Sequence, residues 1–306
     1  MKKKILAIQG SSLKKINIRT DTSFFLGVEA QKRNFDIYYY EPKDLSFVNG
    51  KIIARCTNVK FKYNSKKPIK ILKSSTLNLI KAKLLLIRNE PPFNQQFINT
   101  TFILEHISKK IKIINDPKAL REVPEKLFSL HLIKFMPNTL ISEDLREIKK
   151  FFDKNKKVVI KPIESYSGND VRLLNKFNRA QVVRYIKKYR HLMFQKFISQ
   201  ISKGDKRVFI INGKVKGAIS RLPKKGSILS NMSKGASAKK IKITNQELQI
   251  SKFVASELKK KNIYFAGIDF IKGKLIGDIN VTSPTGLKTY YDLTRINLAE
   301  YFFDNI

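Results

Sequence analysis

The chain opens with an apolar strand at Lys4–Ile8, a polar Gly-Ser-Ser loop, a helix over Thr22–Arg33 and a second strand at Asp36–Tyr40. No other feature narrows the fold as much. Two strands joined through a helix cannot turn back on each other as a hairpin, so they lie parallel with the helix packed on the sheet. Asp21 or Thr22 caps that helix, and Phe25, Val28 and Ala30 give it an apolar side before a polar end. Leu84–Ile87 is a strongly apolar strand, and Pro91-Pro92-Phe93 forces an extended turn after it. Phe97–Ile107 resumes as a helix, and Lys112–Ile114 is a further strand stopped by Asn115-Asp116-Pro117. A first α/β lobe therefore ends near residue 120.

The second half has a different rhythm. Val158–Ile160 leads straight into Lys161-Pro162 and a small-residue loop, Ser165-Tyr166-Ser167-Gly168, and Met193–Ile198 is a short strand. Arg207–Ile211 and Val215–Ser220 form a hairpin around Asn212-Gly213, a dipeptide suited to a turn with positive φ. Ser227–Ala238, rich in Ser, Gly and Ala, reads as a mobile loop, and Gln246–Lys261 as an amphipathic helix. Tyr264–Ile271 and Lys274–Val281 form a closing hairpin around Lys272-Gly273.

Composition removes several classes of function. A single cysteine, Cys56, excludes an intramolecular disulfide framework, and the lone histidines His106, His131 and His191 lack zinc-site spacing. No apolar run approaches the roughly 20 residues that span a bilayer, and the apolar stretch after the initial lysines is too short for a secretory signal. These features predict a soluble, cytoplasmic protein with no membrane partner. Against 24 Asp+Glu the chain carries 62 Lys+Arg, a formal net charge of +38. The lysines are scattered over the whole length, without a basic arm or a nucleic-acid-binding motif. They read as a solvated coat, not as a specific nucleic-acid site, although such a field attracts polyanions at low salt.

The closing hairpin carries the most chemistry. Asp278 and Asn280 are two apart on a strand, so both side chains leave one face. A two-residue turn at Lys272-Gly273 puts Asp269 opposite Ile276, on that same face and diagonal to Asp278. Alone these are ordinary strand residues or an oxygen-only site suited to Mg²⁺; the apolar neighbours Ile268, Phe270, Ile279 and Val281 favour the metal. Lys161 ends an apolar strand beside a Ser/Gly loop, a setting that suits a fixed anion such as phosphate. Lys126, in Pro124-Glu125-Lys126-Leu127-Phe128, reads by itself as a surface helix residue. Neither a nucleophile–base pair nor a P-loop is present, so catalysis here works through metal, charge and positioning, which is most of what phosphoryl transfer requires.

Taken together, the segments resemble the prokaryotic glutathione synthetase family of ATP-grasp ligases. The resemblance rests on Asp21-Thr22-Ser23-Phe24, Glu29–Arg33, Arg88–Phe93, Asn115-Asp116-Pro117 with Leu120-Arg121, and Glu125–Phe128. It continues through Ile160-Lys161-Pro162, Gly204–Arg207, Gly267-Ile268-Asp269 and Ile279–Gly286. It implies an ATP-grasp fold of the α/β and α+β classes: an N-terminal parallel-sheet α/β domain over 1–120, a lid lobe over 121–200 and a C-terminal catalytic lobe over 201–306. It also implies ligation of γ-glutamylcysteine to glycine through an acyl phosphate, with ATP as co-substrate and Mg²⁺ (or Mn²⁺) as metal. Lys126 and Lys161 would then contact the ATP phosphates, Gln195, Lys196, Phe197 and Ile198 line the adenine, and Asp205 lie by the nucleotide. Arg207 and Lys161 would be the catalytic cations, and Asp269, Asp278 and Asn280 the metal ligands. Arg88, Arg221, Asn231, Ser283, Thr285 and Gly286 would bind substrate. A homo-oligomer, a tetramer in this family, is implied as well.

Three places depart from the family pattern. The glycine-rich lid loop, usually Asp-Gly-x-Gly-Gly, is Glu164-Ser165-Tyr166-Ser167-Gly168 here. The mobile loop has Leu229 and Ser237 where the family has arginines around Asn231; Lys234, Lys239 and Lys240 are nearby cations but lack the bidentate fork. Asp278 replaces a Glu of the metal set. These changes leave as alternatives an ATP-grasp ligase of other specificity, or a nucleotide-binding paralogue with little activity.

Overall fold

The computed structural model describes residues 3–90 and 92–306. Pro91, part of the anticipated turn and of the Arg88–Phe93 motif, lies outside the described residues, as does Lys2. The strands form three sheets.

The first sheet starts as the β-helix-β pattern requires. Strand β1 (Lys4–Gln9), helix α1 (Thr22–Lys32) and β2 (Phe35–Tyr40) form a crossover in which β1 and β2 pair parallel. Asp21 is the cap: its Oδ1 accepts the Phe24 N–H at 2.6 Å. Phe24, Phe25, Leu26 and Ala30 are all buried, because α1 is wedged between this sheet and the C-terminal helices. An antiparallel excursion follows, made of β3 (Leu45–Val48), β4 (Lys51–Phe61) and β5 (Ile69–Asn78). Then β6 (Leu84–Ile87) joins β1 in parallel, α2 (Gln95–Glu105) crosses over, β7 (Lys112–Ile114) pairs parallel with β6, and α3 (Pro117–Glu122) ends the unit. Helix α2 begins two residues before the sequence pattern, because Asn94 caps it on Phe97 N at 3.0 Å.

The second sheet comprises β8 (Thr139–Ser142), β9 (Val158–Pro162), β10 (Arg172–Leu174) and β11 (Leu192–Lys196), all antiparallel. With α4 (Leu145–Asn155) and α5 (Arg179–Tyr189) it encloses a core of its own around Ile148, Phe152, Ile160, Leu192 and Phe194. The preceding stretch packs elsewhere: Phe128, Leu132 and Met136 join Phe270, Leu275 and Ile279 of the third sheet.

That third sheet has the order β14-β13-β12-β15-β16, from β12 (Asp205–Ile211), β13 (Lys214–Leu222), β14 (Ser237–Lys240), β15 (Phe265–Ile271) and β16 (Lys274–Asn280). Helix α6 (Asn245–Lys260) covers it, and α7 (Leu287–Thr294) and α8 (Leu298–Asp304) close the chain. Both hairpin turns form as their dipeptides dictate: Asn212-Gly213 at φ 49° and 70°, Lys272-Gly273 at 47° and 71°. The anticipated loop over Ser227–Ala238 is shorter than the sequence suggests, since Ser237 and Ala238 begin β14 and pair with Leu222 and Arg221. The edge of β13 offers ladder partners that composition alone does not reveal. Asn115 locks the first unit to this sheet, donating to Phe265 O and Val281 O at 2.8 and 2.7 Å and accepting from Tyr264 N and Phe265 N at 2.9 and 2.8 Å. Among the described residues, no helix is long and apolar enough to cross a membrane.

Candidate active site

Strands of the second and third sheets and loops of the first unit line one cavity of about 480 Å³. At its centre are two cross-strand ion pairs set by register. Asp205 of β12 lies opposite Arg221 of β13, and Arg207 of β12 opposite Asp269 of β15. Asp205 accepts Arg221 Nε at 2.8 Å on one oxygen and Arg221 Nη2 on the other. Arg207 forks onto both oxygens of Asp269, through Nε and, at 2.8 Å, through Nη2. Arg221 Nη2 also stands 3.0 Å from Asp269 Oδ2, which joins the pairs into one network. Burial alone would push both carboxyls up. Asp269 has two guanidiniums that outweigh burial and hold it at about 2, whereas Asp205 shares one and is raised by desolvation.

The register at Asp269 differs from that of a plain two-residue hairpin. Pairing follows the turn through Ile271↔Lys274 and Phe270↔Leu275, then resumes at Ile268↔Ile279. Asp269 therefore faces the bulged stretch Ile276-Gly277-Asp278, not Ile276 alone, with Gly277 at φ 84°. Two extra residues preserve side-chain parity, so the three groups still converge. Asn280 Nδ2 donates to Gly267 O at 3.1 Å and to Asp269 Oδ2 and Asp278 O at 3.3 Å. Among the described residues nothing donates to Asn280 Oδ1 or to the Asp278 carboxylate. Two carboxylates and a free amide oxygen are hard donors that fit Mg²⁺, and no cluster of three His, Cys, Asp or Glu competes for that role among the described residues.

Two lysines face this group. Lys126, which reads as a surface residue in sequence, is buried, donates to Ile163 O at 3.3 Å and to Ser165 O, and lies 3.9 Å from Asp278 Oδ1. Lys161 donates to Ile276 O at 2.6 Å and lies 4.0 Å from Asp278 Oδ2. Burial lowers its pKa, and Asp278 partly restores it. Further along the wall stand Gln195, Lys196, Phe197 and Ile198. The amides of Lys196 and Phe197 are already spent on Asn138 O and Lys157 O, at 2.9 Å each. Gln195 is held by Thr139 Oγ1 at 3.0 Å.

At the far end Asn231, Ser283, Thr285 and Gly286 line the cavity. Arg88 does not join them. It lies one layer behind, donating to Ser23 Oγ at 3.1 Å and Pro284 O at 2.8 Å, and burial lowers its pKa to about 10. Its observed contacts support the 283–286 loop. Glu125 supports the same loop, accepting Val281 N, Thr282 N and Thr282 Oγ1 at 3.0, 3.1 and 2.8 Å. Lys239 and Lys240, considered as substitutes for loop arginines, are exposed on β14, and Lys234 donates to Asn169 at 2.7 Å. Sequence reasoning missed Asp21, Glu90, Lys15 and Asn17, which also line the cavity. Asp21 was legible only as a helix cap; nothing local shows that the same carboxyl reaches the cavity, where burial raises its pKa.

The fold has known counterparts. The ATP-grasp ligase PsnB, solved with a phosphomimetic variant of a minimal precursor, Mg and ADP, superposes with a TM-score of 0.64 at 13% identity over 99% of this chain and 97% of its own. The architecture is thus that of the ATP-grasp ligases. Residues 5–121 match the model of the prokaryotic glutathione synthetase N-terminal domain, and residues 125–295 that of the prokaryotic glutathione synthetase ATP-grasp domain. Glutathione synthetase of Bradyrhizobium diazoefficiens is 34% identical over 98% of this chain and 97% of its own length. That of Wigglesworthia glossinidia brevipalpis is also 34% identical, over 98% and 96%. The chain belongs to the prokaryotic glutathione synthetase family, and its activity is that of an ATP-dependent ligase of glutathione biosynthesis.

Proposed function

We propose that this cavity joins γ-glutamylcysteine to glycine at the expense of ATP, with the site residues dividing the work as follows. The single observation that carries the reading is the meeting of four cations, Lys126, Lys161, Arg207 and Arg221, with Asp269, Asp278 and Asn280 in one cavity. Lys126 and Lys161 neutralise the ATP phosphates. Gln195 to Ile198 line the adenine, and the Ile198 N–H, free of protein partners among the described residues, is available to it. Asp269, Asp278 and Asn280 would hold Mg²⁺ (or Mn²⁺), which would withdraw charge from the transferring phosphoryl oxygens.

The cysteinyl carboxylate is a poor electrophile. It takes the γ-phosphoryl group and ADP leaves; the glycine amine then attacks the acyl carbon, loses a proton and displaces inorganic phosphate. Arg207 stabilises the oxyanion that develops in the second step, and Arg221, Asn231, Ser283, Thr285 and Gly286 orient the peptide. Closure of the cavity keeps water from the acyl phosphate. In this reading the lobes are 1–120, 121–200 and 201–306, with the Phe128–Met136 stretch of the middle lobe packed on the third sheet; the assembly is a homotetramer, readable by light scattering, and the setting is cytoplasmic.

The test is ADP release from Mg-ATP with γ-glutamylcysteine and glycine each present or omitted. ADP formation that needs both, with tripeptide appearing in step, supports the assignment. ADP formed with another carboxylate–amine pair, and not with this one, overturns the substrate choice. Leu229, an apolar side chain on the wall where the family has arginine, is the observation that favours that second outcome.

A further inference from the structure

The loop from Ser227 to Ala236 contains no arginine, so among the described residues the guanidiniums at the cavity come only from the sheet, as Arg207 and Arg221. What the loop sends to the buried charge network is a hydroxyl. Ser230 is buried within a loop that is otherwise largely exposed or half-buried, and its Oγ donates to Asp205 Oδ2 at 2.6 Å. Asp205 is only 1% exposed, and both its oxygens are consumed by protein donors: Arg221 Nε at 2.8 Å on one, Arg221 Nη2 and Ser230 on the other. A carboxylate so fully engaged is placed to hold other groups.

We propose that Ser230 and Asp205 are positioning residues, through which the seated loop fixes the plane of Arg221 against Asp269. The chain of contacts is Ser230 to Asp205, Asp205 to Arg221, and Arg221 Nη2 to Asp269 Oδ2 at 3.0 Å. The second donor on Asp205 Oδ2 leaves the carboxylate one orientation, and the planar guanidinium opposite it must follow. Arg221 is thereby aimed only while the loop is seated. This inference rests on the proposed active site, but it concerns how that site is assembled.

Ser230→Ala is the informative change, because it removes one hydroxyl from a small side chain and leaves both charges of the pair. The expected result is a fall in kcat of roughly tenfold, the size of one hydrogen bond to a charged group, with KM for ATP within about twofold of wild type. Trypsin cleavage within the loop at Lys234, or just before it at Lys224 or Lys225, should quicken in the ligand-free protein, a readout that needs no turnover. Asp205→Asn should lose at least as much kcat, since it also breaks the charge pair with Arg221, and the double variant little more than Asp205→Asn alone, since Ser230 acts through Asp205. Wild-type kcat together with wild-type trypsin resistance in Ser230→Ala overturns the inference, as do losses that multiply in the double variant. If Asp205→Asn fails to fold, Ser230→Ala decides alone. If the wild-type protein makes no tripeptide, the substrate reading fails separately, and the trypsin comparison still tests the latch.

Discussion

The lid loop gives the most direct physical test of how this chain tolerates its altered glycine pattern. Ser167 stands at φ 52°, in the left-handed region, and Gly168 follows at φ 72°. A Cβ in that region costs roughly 1–2 kcal/mol. Glycine avoids that cost but loses roughly 0.5–1 kcal/mol more in chain entropy on folding. Ser167→Gly should therefore be neutral to stabilising by about 1.5 kcal/mol at most, with kcat unchanged or raised. Gly168→Ala should behave oppositely. Its backbone takes on the same strain, and the new Cβ would lie 2.7 Å from Asn231 Oδ1 and 3.1 Å from Leu229 Cδ2. Either Asn231 moves or the loop lifts from the cavity, so KM for ATP should rise and kcat fall. Thermal unfolding by circular dichroism and steady-state ADP release with varied ATP measure both. A tenfold or larger loss of kcat in Ser167→Gly would mean that the serine hydroxyl has its own part in the reaction. A silent Gly168→Ala would mean that this loop geometry is not the one used in turnover.

Further outcomes follow from other contacts. Asp278→Ala leaves Lys126 and Lys161 without the carboxylate that lies 3.9 and 4.0 Å away and removes one proposed metal donor, so Mg-dependent ADP release should vanish. Asp278→Glu should keep it, and retained turnover in the alanine variant would remove the metal assignment. Asn115→Ala strands the four backbone groups bonded to that side chain, and urea unfolding should show a loss of roughly 3–5 kcal/mol. A loss under about 1 kcal/mol would mean that water replaces the amide. Burial pushes the Cys56 thiol up to about 12, above the ordinary value of about 8.5. The unfolded thiol ionises first, so its contribution to stability is intact below pH ~8.5 and fades as pH rises toward 12. Ellman's reagent at pH ~8 should leave the native thiol untouched and titrate one equivalent in guanidinium.

What could be read from the sequence was mostly local. The parallel start follows from strand, helix and strand in succession, and the two hairpin turns follow from dipeptides that accept positive φ. The antiparallel β3–β5 excursion was not legible. Its outer strand β5 is largely exposed, with Ile71 at 62%, and carries no alternation to find. Lys126 was misread for a related reason. Its burial depends on Asp278 and on the carbonyls of Ile163 and Ser165, all distant in sequence, while its own neighbours look like a surface helix.

The charge network shows why register limits such reading most severely. Counted from a two-residue turn at Asn212-Gly213, Asp205 would oppose Ser220. In the structure the β12–β13 pairing slips between Phe209 and Ile210, so that Ile210 meets Val215 but Phe209 meets Gly217. One unpaired residue, Lys216, brings Arg221 opposite Asp205. Lys216 packs over the Tyr301 ring at 3.5 Å, and a Cβ on Gly217 would lie 2.6 Å from Tyr290, so the slip occurs where the C-terminal helices press on β13. The closing hairpin slips by two, which keeps parity, and there the face of Asp269, Asp278 and Asn280 was legible without the register. A one-residue slip reverses parity. The pairing of Asp205 with Arg221 thus depends on the packing of α7 and α8, more than sixty residues further along the chain.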